Sequence, residues 1–139
     1  MRALLDACVL VPTLTRALLM TAARSGAFSP IWSETILDEW RHAAARTGIE
    51  EAAAVDGEIE LRKSRFSEAT VSTGDFEVLH LPDPDDRHVL GAAITGKAEA
   101  LVTFNIRDFP TRELTAHGIL RYTPDMLFLE LLMVNRNHF

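Results

Sequence analysis

The chain has 139 residues, the usual size of one domain, and its 47% hydrophobic and 24% charged residues are the balance of an ordinary globular protein. A single cysteine, Cys8, rules out an internal disulfide or a thiolate metal cluster and agrees with a reducing cytoplasm. The net charge of −6 speaks against nucleic-acid binding by phosphate neutralisation alone, although only Lys63 and Lys97 among the cations are lysines and the rest are arginines, which grip phosphate with two parallel hydrogen bonds.

Arg2–Leu5 reads as a buried strand ending at Asp6, whose charge also breaks any apolar signal core. Pro12 opens a helix to about Arg24, closed by Ser25-Gly26. Phe28–Trp32 is a short extended piece containing Pro30, and Ser33 then caps a helix reaching about Arg46, stopped near Gly48. Glu50 to about Phe66 forms another helix. Thr70–Gly74 is a loop, and Glu77–Leu81 is a second strand. Asp83-Pro84 starts a helix that fades at Gly96. Leu101–Phe104 is a third strand, Thr111–His117 a short helix stopped by Gly118, and Ile119–Tyr122 a last strand. Pro124 begins a C-terminal helix whose Leu127–Val134 stripe reads as core, with a partner surface as the alternative. The most hydrophobic stretch, Met126 to Val134, contains Glu130 and is too short to cross a bilayer, so a soluble cytoplasmic protein is expected, with no membrane partner. No repeat or linker divides the chain. Residues 1–139 read as one α/β domain, a parallel sheet with helices on both faces.

In open parallel sheets, ligand sites collect at the carboxyl ends of the strands. Asp6, the Asp83–Asp86 cluster and the Asn105–Asp108 segment each follow a predicted strand. A bare carboxylate at Asp6 is costly unless paired or bound to a cation, or used as a cap or turn acceptor. On the helix after Ser33, the residues Ile36, Leu37, Trp40, Ala43 and Ala44 share a face. Glu39 lies at its margin while Glu34 and Asp38 point away; by itself Glu39 reads as a solvated acid near Arg46. Asp83 suits a helix N-cap, and acids stabilise that end. Asp86 differs, because it lies on the centre line of the stripe Val89, Leu90, Ala93 and Ile94, where a helix built for stability alone needs no carboxylate. Asp108 sits in a polar loop with Thr103 and Asn105, which an Asx-type turn would also explain.

Carboxylates gathered from these segments repel one another unless a divalent cation neutralises them. Oxygen-only ligands select Mg²⁺ or Mn²⁺, the usual equipment for cutting phosphodiesters. His42, His80, His88, His117 and His138 show no zinc-type spacing, and the helical rotation carries His88 off the face of Asp86. No phosphate-binding P-loop or GxGxxG pattern is present.

In order along the chain, Leu4-Leu5-Asp6-Ala7-Cys8-Val9-Leu10, Trp32 to Glu39, Asp83-Pro84-Asp85-Asp86-Arg87-His88-Val89-Leu90-Gly91-Ala92-Ala93 and Leu101 to Pro110 resemble the PIN-domain family. The resemblance implies a three-layer α/β/α sandwich around a parallel sheet of four to five strands. It implies an endoribonuclease that cleaves single-stranded RNA with Mg²⁺ or Mn²⁺, using Asp6, Glu39, Asp86 and Asp108. VapC-type toxins are common among bacterial members, so an antitoxin partner and a homodimer are implied as well. On this reading Asp6 and Asp86 hold the principal metal, with Asp108 in the metal set. Glu39 and Asp108 act through waters or orient the attacking water, Thr103 and Asn105 tune the geometry, and Arg41 and Arg107 contact phosphate.

Two departures stand out. Ala7-Cys8 replaces the family's Thr-Asn and is expected to remove polar support near the metal, and Asn105 stands where an acid is common. They keep a second reading open, a catalytically weakened PIN-like module that only holds RNA or a protein partner. A phospho-receiver module is disfavoured because neither lysine lies near a late strand end, and a phosphatase with two spaced acids after the first strand because Cys8 takes the second place.

Overall fold

A computed structural model describes residues 1–137; His138 lies outside them. Four strands form one sheet: β1 (Arg2–Leu5), β2 (Ser29–Ile31), β3 (Ala100–Val102) and β4 (Leu120–Tyr122), in the order β2-β1-β3-β4 and all parallel. Beyond Arg2 the central strands are apolar because both faces are covered. Ala3, Leu4, Leu5, Ala100, Leu101 and Val102 have no exposure at all. The register sets Leu4 beside Ile31, Leu5 beside Val102, and Val102 beside Tyr122. The strands therefore end together, and the residues that follow them, Asp6, Trp32 and Thr103, emerge along one edge.

The helices are α1 (Ala7–Leu10), α2 (Thr13–Arg24), α3 (Glu34–Ala45), α4 (Ile49–Arg65), α5 (Arg87–Thr95), α6 (Thr111–Thr115) and α7 (Pro124–Asn137). Their starts follow local chemistry. The Ser33 hydroxyl accepts the Ile36 N–H at 3.2 Å, and the Asp6 carboxylate accepts the Ala7 N–H at 2.8 Å, opening a one-turn α1 that the sequence does not announce. Buried Arg16 ties this turn down. Its guanidinium lies 5.0 Å over the Trp40 ring, donates to the carbonyls of Leu10 (2.6 Å) and Val11 (3.0 Å), and pairs with Glu58 at 2.8 Å. No helix among the described residues is long and apolar enough to cross a membrane.

The strand expected at Glu77–Leu81 is absent. Phe76–Val78 is a 3₁₀ turn and Leu79 is extended without a ladder. Leu79 and Leu81 pack against the core while Val78 is 67% exposed. This alternation gives the burial signature of a strand, but the segment lies over α5 instead of pairing with the sheet. Consequently Asp83–Asp86 does not follow a strand. It leaves this segment through a second 3₁₀ turn, Pro84–Asp86, that runs into α5. Gly91 makes the arrangement fit, since a Cβ there would collide with the Thr73 carbonyl oxygen and with Phe76.

Candidate metal centre

At the end of β1, Asp6 is 5% exposed and its N–H bonds the Val102 carbonyl at 3.1 Å. Its carboxylate is held by three donors: the Ala7 N–H, the Thr103 hydroxyl at 2.9 Å and the Cys8 thiol at 3.4 Å. Thr103, fully buried after β3, also accepts the Asn105 N–H at 3.0 Å, and the Phe104 N–H points at the Cys8 sulfur at 3.3 Å. Burial raises the pKa of Asp6 more than these hydrogen bonds lower it, and Glu39 adds to the rise. Burial and then the Asp6 charge push the Cys8 thiol up to about 11, so it keeps its proton and acts as a donor. The expected loss of polar support at Ala7-Cys8 is thus corrected, because the thiol supplies a contact to Asp6.

Asp86, at the end of the second 3₁₀ turn, is partly buried. Its Oδ2 is enclosed and has no hydrogen-bond partner. Asp83, Asp86 and Asp108 each offer a carboxylate oxygen, and these oxygens all lie within 4.8 Å of one another. Burial first, then the charges of Asp108, Asp6, Asp83 and Glu39, push Asp86 up to about 7. Asp108 reaches the cluster from the 3₁₀ turn Ile106–Asp108, in which its N–H bonds the Asn105 carbonyl at 3.2 Å.

Asp83 does not figure among the site residues read from the sequence, where its capping role accounts for it. It does cap, accepting the Asp85 N–H at 2.9 Å. A 3₁₀ turn has three residues per turn, so positions 83 and 86 also fall on one side, and that spacing is the signal that could have found it.

Glu39, on α3, meets His88 rather than Arg46: Nε2 stands 3.1 Å from Oε1. His88 is 9% exposed and its ring reaches Glu39, an acid that is not one of the three closely grouped aspartates. Burial lowers its pKa, yet Glu39, Asp6 and Asp86 together outweigh this and leave it raised. Asn105 and Arg107 are exposed on the loop beside Asp108. Arg41 pairs with Asp38 at 2.6 Å and Asp56 at 3.2 Å on the α3–α4 surface.

An all-oxygen donor set, neighbouring carboxylates whose charges raise the pKa of Asp86, and an enclosed oxygen without a partner fit a hard divalent cation. Two clefts of about 360 and 320 Å³ lie elsewhere, and these carboxylates line neither.

The PIN domain family matches residues 2–107. Among solved structures, the fold is similar to the crystal structure of VapBC2 from Rickettsia felis bound to a DNA fragment from their promoter. The similarity has a TM-score of 0.53 at 14% identity and covers 88% of this chain and 98% of that one. No curated protein matches significantly.

Proposed function

The chain belongs to the PIN-domain family, and from that premise we propose that it is an endoribonuclease cutting single-stranded RNA with Mg²⁺ or Mn²⁺. The observation that carries this reading is Asp86, whose enclosed oxygen lacks a partner while four other carboxylates act on it. Asp86 and Asp108 would hold the ion together with Asp83, whose oxygen lies within the same 4.8 Å group, and Asp6 would complete the set from β1. When bound, a divalent cation supplies charge neutralisation and polarisation at the phosphodiester.

The chain's own residues do the rest. Thr103 and Cys8 fix the Asp6 carboxylate. Glu39 orients the attacking water and takes its proton. Arg107, exposed beside Asp108, offers a phosphate contact that partly offsets the net charge of −6. Cleavage leaves a 5′-phosphate and a 3′-hydroxyl.

Exposed Met126, Leu129, Leu132 and Met133 on α7, and Leu14 and Leu18 on α2, support a protein partner. With the likeness to VapBC2, we take that partner to be an antitoxin, the chain being a toxin of the cytoplasm that also pairs with a second copy of itself. One observation favours a module that binds RNA without cutting it: Asn105 puts an uncharged amide where the family commonly has an acid.

Single-stranded RNA cleavage with and without EDTA separates the two. The nuclease reading expects cutting that EDTA abolishes and Mn²⁺ restores. It also expects Asp86→Asn to lose more than about 100-fold, the upper end of what removing a group behind a metal ligand costs. Equal cutting by both proteins in EDTA contradicts it, and retention of RNA without cleavage favours the module.

A further inference from the structure

His88 is the second residue of α5, buried, with Phe76 packed against its ring edge-on at 6.4 Å between centroids. Its Nε2 stands 3.1 Å from Glu39 Oε1. A carboxylate only accepts, so the ring carries a proton on Nε2 in either charge state. Its Nδ1 is enclosed and has no partner, so the imidazole has one polar commitment, and that is to Glu39. Glu39 is the less constrained member, its side chain 46% exposed on α3. A glutamate at a helix surface samples several rotamers, and only some place its carboxylate beside Asp6 and Asp86.

We propose that His88 is a positioning residue, which grips one oxygen of Glu39 through Nε2 and so holds that carboxylate facing the aspartate cluster. The effect on turnover rests on the nuclease reading, whereas the grip itself is a property of the metal-free protein. The arrangement parallels the partners that orient ligands around metal sites: the imidazole still donates and the carboxylate still accepts, but here the buried imidazole is the group that orients and the carboxylate the group that is oriented.

The test has two readouts. In metal-free protein, ¹⁵N NMR of the histidine ring is expected to show the proton on Nε2 and a shift of that signal in Glu39→Gln. In RNA cleavage with Mn²⁺, His88→Phe keeps the ring and its packing, so a melting temperature at the wild-type level marks it as folded. Its kcat is expected to fall about 10- to 100-fold, the range for losing a ligand's supporting partner, with KM unchanged. His88→Gln, whose amide nitrogen replaces Nε2, is expected to recover most of that loss.

A neutral ring protonated on Nδ1, or a folded His88→Phe with wild-type kcat, overturns the proposal. A wild type that shows the Nε2 proton and the Glu39→Gln shift but cuts no RNA supports the positioning and contradicts the nuclease reading instead.

Discussion

An aspartate with an ordinary pKa of 3.8 that is pushed to about 7 on folding keeps its proton across a window in which the unfolded chain has already lost it. For Asp86 the sign follows directly. Between those pH values the folded state binds more protons, so metal-free stability falls as pH rises and stays low once both states are ionised. Metal-free Asp86→Asn should therefore be more stable than the wild type at pH 8, by on the order of 1–2 kcal/mol after allowing for solvent screening of a partly exposed carboxylate. The two should converge below about pH 4, where the wild-type carboxyl is protonated in both states. Thermal melts across pH read this.

Thr103 makes a second case at the same scale. Its hydroxyl donates to Asp6 and accepts from Asn105. Thr103→Val should cost about 1–3 kcal/mol by leaving buried polar groups short of partners, and should weaken Mn²⁺ binding about 10-fold. Denaturant titration and Mn²⁺ titration by electron paramagnetic resonance check the two halves.

Asp86 was legible because it breaks an apolar stripe. Asp83 was not, because its capping role already explained it. His88 was not, because its partner lies on a different helix and no local spacing announces the pair.

Among the elements, the central strands were legible for a simple reason: strands covered on both faces read as unbroken apolar runs, as Ala3–Leu5 and Ala100–Val102 do. The caps at Ser33 and Asp83 were equally plain. Glu77–Leu81 misled because alternate burial does not say whether a ladder partner exists. Its true placement depends on Gly91, where the backbone around Thr73 presses on α5. Gly91→Ala should destabilise by about 1–3 kcal/mol through overpacking, even though alanine is the better helix former. The displaced segment leads to Asp83, so Mn²⁺ affinity should drop as well. Chemical denaturation and Mn²⁺ titration of this variant test the link, and an unchanged stability would show that the segment yields freely.

For the molecule as a whole, four parallel strands ending along one edge bring Asp6 and Thr103 together, and the loops after Leu81 and Thr103 bring Asp83, Asp86 and Asp108 close to one another. The order of the segments was legible in the sequence, which is why the family could be named from it. The gathering of acids at one edge was legible from the parallel-sheet pattern, whereas the place of Asp83 among them was not, since it depends on a 3₁₀ turn.

The central claim is that these carboxylates share one divalent cation, and mass action makes it measurable. Thermal unfolding at pH 8 with rising Mn²⁺ tests it most directly. The wild type should gain about 2.7 kcal/mol at 100 times the dissociation constant. Asp86→Asn should start higher in the absence of metal and respond little. A wild type that gains nothing, or an Asp86→Asn that gains as much, would contradict the account.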